Sequence, residues 1–525
     1  MKKIVPLLIV IIIFSLSSTA QHGALDTAFN HSGFVLTNVS GKNSSYGYDV
    51  AIDRAGKTLV SGKVNIAPTL TEAVLMRYKL NGDLDSNFGT NGTVLESFSN
   101  SFDNFSALAL QPDGKIVVTG LSIRNDSFFV LFARYNANGT LDRTFRTKKT
   151  ALKYYGFGAV GCMVLVQPDK KILLLLNNNE PVTNKAQTQV ERYNEDGTPD
   201  KTFANNGNFT YTGDFWFTKF TIDNQNRVIC LSGDAGFTSL LRLKNNGKPD
   251  NSFGTNGLIT TRVSPYDGSD NLVVQPNGKI VVCGFLQSAN FVDDLFSVYR
   301  FNANGTLDSS FNDTGINSTR ITGLDFTYDV SLQPSGRIIA VGYSITPKKT
   351  YITLMRYNSN GKTDSTWGNN GVDTVDATWK LKHYSYAVAS AVSADGATIA
   401  VTGNQTGRNF SQNAFLTARF LVHGTDDIAA VTSSGVQVIK KDEHVLVYPN
   451  PAHTTATISF SLQQNSKINV RLINTKGEVV STVYSGSMDK GDHQLNLNIS
   501  QLPAGLYTVV LQTGNQINSI KLLKF

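Results

Sequence analysis

The chain has 525 residues, 17% of them charged, and a formal net charge of +7; that length exceeds one ordinary hydrophobic core, so two or more folding units are expected. Two lysines among the first three residues and an excess of +3 over residues 440–525 leave about +2 for the long middle, which excludes the electrostatic footprint of a nucleic-acid binder. With 44 Gly and 33 Asp against 7 Glu, the composition favours strands and turns over helices, because Asp bonds its own backbone in turns.

Residues 1–20 carry Lys2 and Lys3, an apolar run from Ile4 to Leu16, and small residues ending Ser18-Thr19-Ala20. This is the pattern of a secretory signal cut between Ala20 and Gln21. The apolar run is short for a membrane span, so an exported, soluble mature protein is expected.

From residue 21 to residue 427 one motif recurs. Its cleanest copies are RYNANGTLDRTF from Arg134, RFNANGTLDSSF from Arg300 and RYNSNGKTDSTWG from Arg356. The Asp falls at Asp26, Asp85, Asp142, Asp200, Asp250, Asp308 and Asp364, with a worn eighth copy at Asp427. The Arg falls at Arg77, Arg134, Arg192, Arg242, Arg300, Arg356 and Arg419. Between them lies a second turn, such as QPDG at Gln111 or QPNG at Gln275.

The unit from residue 85 to 141 reads as four short strands, GTVLESF, two apolar runs joined at Pro112-Asp113-Gly114, and FFVLFARYN. In the last, Phe128, Val130 and Phe132 point one way while Phe129, Leu131 and Ala133 point the other. A sheet with one wet face would alternate apolar with polar. Sheets apolar on both faces need a neighbour on each side, which radial stacking supplies. The expectation is therefore an all-β protein with a seven-bladed β-propeller over residues 21–427. Each Arg–Asp turn is expected to join one blade to the next, the Arg paired with the Asp, since an unpaired charge among apolar side chains is costly. Cys162, Cys230 and Cys283 lie singly in apolar runs and read as buried thiols rather than as disulfides or zinc ligands.

Residues 428–444 lack the repeat and read as a linker. Beyond them the alternation becomes clean, with Ala456, Ile458, Phe460 and Leu462 on one side of TATISFSL. Several such strands predict a small Ig-like β-sandwich over residues 445–525.

Two resemblances follow from these residues. The pattern R-Y-N-x-N-G-x-L-D-x-x-F-G, followed by Q-P-D-G-K-I-V-V-x-G, resembles the delta-60 repeat of bacterial exported proteins, a family regarded as β-propeller with no settled activity. The tail resembles the C-terminal type A sorting domain of the type IX (Por) secretion system of Bacteroidetes. The matching residues are Tyr448, Pro449, Asn450 and Pro451, then Gly477 in NTKGEVV, then Pro503, Gly505 and Tyr507, with Lys521 and Lys524 at the basic end. The resemblance implies passage through the periplasm to the cell surface or medium, with the type IX machinery and a sortase-like peptidase as partners and surface lipopolysaccharide as a possible anchor.

No enzyme template appears: there is no H-E-x-x-H, no G-x-S-x-G and no phosphate-cradling P-loop. No cofactor or metal is expected, and no residue is singled out as catalytic. Irregular loops are the better candidates for ligand contact: those around Glu180, around Asp293 and Asp294, and above all DATWKLKHYSY with Trp379, His383 and Tyr384. The expected function is a secreted or surface-displayed binding or adhesion scaffold for a glycan or protein. The alternative is a secreted propeller enzyme acting on extracellular polysaccharide.

Overall fold

The computed structural model describes residues 25–422, apart from 40–43, 68, 100, 126, 146–152, 155–161, 181, 235, 264–266, 289–292, 377–383 and 407–412. It also describes residues 446–524, apart from 449–451, 453, 463, 475–478, 504 and 514–515. The expected signal peptide with its Ala20–Gln21 junction, the linker and Asp427 lie outside these residues. By internal contacts the chain divides into two compact units, Met1–Asp427 and Ile428–Phe525. The only helical element among the described residues is a 3-10 turn at Phe311–Asp313, and no helix there is long and apolar enough to cross a membrane.

Among its described residues the strands of the first unit group into antiparallel sets of four, and hydrogen bonding joins two of the sets into a nine-stranded sheet and two into an eight-stranded one through the parallel bridges Thr71–Phe102 and Asp294–Leu324. The first set, sheet I, runs through Ser45–Ile52, Thr58–Ala67, Leu70–Tyr78 and Thr93–Glu96, each strand pairing with the one before it. Sheets II to VII repeat the order, beginning at Ala107–Leu110, Cys162–Val166, Lys219–Ile222, Asp267–Val274, Leu324–Leu332 and Tyr384–Val392. The first strands of successive sheets touch one another in a complete circuit, that of sheet VII touching that of sheet I.

The sheets do not coincide with the sequence repeat. The strand Thr93–Glu96 follows the Asp85 turn, yet it pairs with Leu70–Tyr78 before that turn. The 85–141 unit therefore straddles two sheets, and the Arg–Asp turn connects the third and fourth strands of one sheet instead of crossing between blades. The turn is local, and the strands beside it fold back on each other as a hairpin. Offset in this way, sheet VII has no fourth strand after Arg419 among the described residues. Its edge is filled by Phe34–Thr37 from the other end of the repeat region, which pairs with Asn413–Leu421.

Apolar residues of both parities are buried because each sheet packs against two neighbours. On the second strand of sheet I, Leu59 joins the cluster shared with sheet II, beside Leu108 and Val118. The next residue, Val60, joins the cluster shared with sheet VII, beside Ala400 and Phe415. Equivalent clusters lie between each other consecutive pair. Each fully buried Val or Leu contributes about 1.5–3 kcal/mol, and Cys162, Cys230 and Cys283 are buried free thiols in the same layers.

The second unit has one three-stranded sheet, Leu446–Tyr448, Thr455–Leu462 and Gly491–Asn498, and one four-stranded sheet built on Ser466–Ile473 and Gly505–Thr513. Ala456, Ile458, Phe460 and Leu462 meet Ile468, Val470, Leu472, Val509 and Leu511 in one core drawn from both sheets.

Candidate functional site

Two sets of polar and aromatic residues stand out, at opposite ends of the sheets. At the end holding the QPDG-type turns lie the repeated Arg and Asp. Nε of Arg77, Arg192, Arg242, Arg300 and Arg356 lies 2.6–2.9 Å from Oδ2 of Asp85, Asp200, Asp250, Asp308 and Asp364. Arg134 Nη2 lies 2.8 Å from Asp142. Arg419 has no Asp ahead of it among the described residues and pairs with Asp26 instead, at 3.5 Å.

Each guanidinium also covers an aromatic ring, at 4.4–4.7 Å for Phe88, Phe145, Phe203, Phe253 and Phe311. Its Nη1 donates to a main-chain carbonyl in the following sheet's turn, as Arg300 does to Ser359 at 2.5 Å. A second cation, such as Lys115 or Lys279, reaches the same Asp at 2.8–2.9 Å. Burial pushes Asp142, Asp200 and Asp308 up, but hydrogen bonds from Lys and Thr or Ser and the charge of the Arg outweigh it and hold these carboxyls well below the usual carboxylate range. Each Arg and Asp of the motif has an ion-pair partner, and together they tie neighbouring sheets. A shallow hollow of about 510 Å³ at Lys171, Arg192 and Lys244 lies on this end, but Lys171 and Arg192 are both engaged by Asp200.

The opposite end is different. The first strands of sheets I, V, VI and VII each carry a bulge, at Tyr48, Asp270, Tyr328 and Val388. A bulge pushes the carbonyl before it against the second strand. A Cβ on Gly342 would lie 1.8 Å from the Phe326 carbonyl oxygen, and one on Gly403 would lie 1.8 Å from that of Tyr386. That is why these second strands carry a glycine at this level.

Just after the bulge, Asp49 accepts from the Leu108 N–H of sheet II at 2.9 Å. Asp329 accepts from the Ser390 hydroxyl of sheet VII at 2.8 Å and from Asn271 of sheet V. These two carboxylates clamp neighbouring first strands. Lys219 holds the corresponding place on sheet IV and is their counter-charge.

Asp270 makes no such clamp. Its Oδ2 is buried without a hydrogen-bond partner. Burial pushes its carboxyl up to about 7, with Lys219 partly offsetting. Burial likewise raises Asp49 to about 6.

Beside Asp270 lies a group of half-buried rings. Tyr328 and Tyr343 stack at 5.3 Å and 18°. Phe326 lies 5.3 Å from Tyr343, Phe285 lies 5.4 Å from Phe326, and Tyr386 meets Tyr343 edge-on at 4.8 Å. Gly268 leaves room for this group, since a Cβ there would lie 2.3 Å from the Phe285 ring. On sheet I, Lys63 sits 5.0 Å over Tyr46 and 4.5 Å over Phe102. Among the described residues no group of three or more His, Cys, Asp or Glu is placed to hold a metal.

Of the loop residues singled out from sequence, Trp379 and His383 lie outside the described residues. Tyr384 is described only in its backbone, which pairs with Thr406. Glu180 accepts hydrogen bonds from Val182 and Thr183 of its own loop, and Asp293 pairs with Arg320 at 3.1 Å. The axial group was missed. Its sequence signals are the polar intrusions SYGYDV and DFTYDV into otherwise apolar first strands, and the aromatic residue after the second-strand glycine at Phe285 and Tyr343.

In the tail, Pro449, Asn450, Pro451 and Gly477 lie outside the described residues. The backbone of Tyr448 pairs with Thr457, that of Lys521 with Thr508, and that of Gly505 with Lys524. The Tyr507 hydroxyl donates to the Pro503 carbonyl at 2.8 Å, and Lys524 is buried.

Residues 446–524 match the secretion system C-terminal sorting domain, and residues 111–145, 275–311 and 333–366 match a domain of unknown function described as a beta-propeller, DUF5122. The repeat region is thus a β-propeller and the tail a type IX sorting domain. The protein is accordingly exported through the type IX machinery to the cell surface or the medium.

No curated protein matches the chain. Among solved structures it is similar to the polysaccharide lyase Uly1, at 10% identity, 77% of this chain, 98% of that one and a TM-score of 0.42. It is similar to PorZ, a surface component of the type-IX secretion system of Porphyromonas gingivalis, at 10% identity, 91% and 81% coverage and a TM-score of 0.18. It is also similar to the acylaminoacyl peptidase of Pyrococcus horikoshii, at 8% identity, 80% coverage and a TM-score of 0.39; the chain spans 59% of that peptidase's length.

Proposed function

We propose that the protein is an exported binding module: a closed seven-bladed ring over residues 21–427, with a ligand site at one axial mouth and an Ig-like sorting sandwich over residues 445–525. Support for closure comes from the circuit of first strands, the cluster joining sheets VII and I, and the borrowed strand Phe34–Thr37. Residues 1–20 serve as signal peptide and 428–444 as linker, where a sortase-like peptidase cuts before surface lipopolysaccharide or release. The repeated Arg and Asp are structural, because each is engaged by partners of its own fold.

The observation that carries the binding role is the contrast between the two ends. The Arg–Asp end is taken up by ion pairs that tie neighbouring sheets together, whereas the other presents half-buried rings beside a buried carboxyl oxygen that makes no hydrogen bond. Ligand sites are commonly built this way, from apolar and aromatic side chains with a small number of convergent polar groups. The ligand is a glycan or protein met outside the cell.

A second reading, an enzyme acting on extracellular polysaccharide, draws on Asp270 and Asp49, whose raised carboxyls suit a general acid. A glycan array run beside a polymer-degradation screen on the full chain tests both. Binding without turnover supports the module, new reducing ends or unsaturated products support the enzyme, and the absence of both defeats the enzyme and the glycan ligand.

A further inference from the structure

We infer that the aromatic group at the axial mouth of sheets V to VII is a saccharide subsite, with the Tyr328–Tyr343 pair as stacking platform, Tyr386 and Phe326 as flanks, and Asp270 as acceptor for ring hydroxyls. The inference deepens the binding role proposed above and rests on it.

A pyranose is amphipathic: its axial C–H bonds form an apolar face, and its equatorial hydroxyls project from the rim. A site complementary to it needs a flat ring and, at the ring's edge, an acceptor able to take two hydroxyls. Tyr328 and Tyr343 supply the flat surface, stacked at 18° with hydroxyls 3.2 Å apart. Tyrosine joins an apolar body to a polar tip, so it serves both parts of a sugar. The Tyr386 ring stands edge-on to Tyr343 at 4.8 Å, and Phe326 lies tilted against Tyr343 at 5.3 Å, so both flank the platform.

Asp270 lies close enough to both tyrosines for its charge to act on their hydroxyls. Its Oδ2 is buried and makes no hydrogen bond, a costly state for a carboxyl unless a ligand completes it. The two carboxylates nearby do not compete for this role. Asp49 is held by Leu108 and Val50, and Asp329 by Ser390, Asn271 and Val330. Asp270 sits on the bulge itself, where the register shift frees it from the clamping position that Asn271 takes.

The choice of a sugar over an apolar peptide follows from the same groups. An apolar side chain on the platform would cover Asp270 and leave its oxygen unpaired, whereas a vicinal diol satisfies it.

The test uses the full chain and three named probes, cellohexaose, chitohexaose and xylohexaose, titrated by calorimetry at pH 7. At least one is expected to bind, and Tyr343→Ala and Asp270→Asn are each expected to weaken that probe at least tenfold. Tyr386→Ala is the second platform variant, used if Tyr343→Ala loses its cooperative thermal transition; Tyr211→Ala, in the separate ring cluster of sheet III, is expected to leave affinity unchanged. A probe that binds the platform variants as tightly as the parent overturns the subsite while leaving a glycan-binding protein. Failure of all three probes at millimolar concentration overturns the saccharide assignment. Capture of a protein ligand in that case preserves the binding role alone.

Discussion

Arg419 and Asp26 form the longest of the seven Arg–Asp pairs, 3.5 Å between Nε and Oδ2, and they come from opposite ends of the repeat region. The guanidinium lies 5.5 Å from the Phe29 ring, repeating with residues of the N-terminal end the contact that every other Arg makes locally. The N-terminal copy of the motif, which has Asp26 and Phe29 but no Arg, is the missing half of the copy begun at Arg419.

This closure predicts that Asp26→Ala destabilises by about 3 kcal/mol, the cost of leaving one member of a buried pair alone. Asp308→Ala, which strands both Arg300 and Lys279, is expected to cost at least as much. Removing residues through Thr37 should expose the edge of Asn413–Leu421 and promote association through it. Urea denaturation and light scattering give the two readouts. A truncated protein that stays monomeric and equally stable would sink the closure.

The two kinds of carboxyl predict opposite pH limbs. Asp142, Asp200 and Asp308 are depressed in the fold, so their contribution is complete above the unfolded value near 3.9 and is lost as pH falls below it. Asp270 and Asp49 are raised to about 7 and about 6, so stability from them is complete below about pH 4 and declines as pH climbs through those values. Thermal stability is expected to peak near pH 5, and Asp270→Asn should flatten the decline toward pH 8 while changing little at pH 4. Parallel curves for parent and variant from pH 4 to 8 would refute the assignment.

Gly342 and Gly114 separate crowding from backbone conformation. A methyl at Gly342 meets the Phe326 carbonyl oxygen at 1.8 Å, so Gly342→Ala should cost about 3 kcal/mol, as overpacking does. Gly114 has φ +85° but its nearest neighbour would be 3.6 Å away, so Gly114→Ala should cost only the left-handed penalty, about 1 kcal/mol. Chemical denaturation that reverses this order would contradict the bulge geometry.

For the tail, deleting residues 445–525 should leave the protein in the periplasm, read by fractionation and surface labelling. Undiminished surface display would contradict the sorting role.

Repetition, both-parity apolar strands and the Arg–Asp motif are short-range patterns, and they were enough to read a radial all-β repeat and its export tail. The alternation at Ala456, Ile458, Phe460 and Leu462 was equally plain, since a strand's facing is set by its own period of two. The sheet boundaries were not legible, because GTVLESF can hydrogen-bond backward or forward and only packing chooses backward. Nor was the difference between Asp270 and Asp329. Both are acids at first-strand bulges, of sheets V and VI, but Asp329 is clamped by Ser390 from the next sheet and Asp270 has an oxygen with no hydrogen-bond partner. Contacts between neighbouring sheets distinguish them, and those exist only once distant strands have been brought side by side.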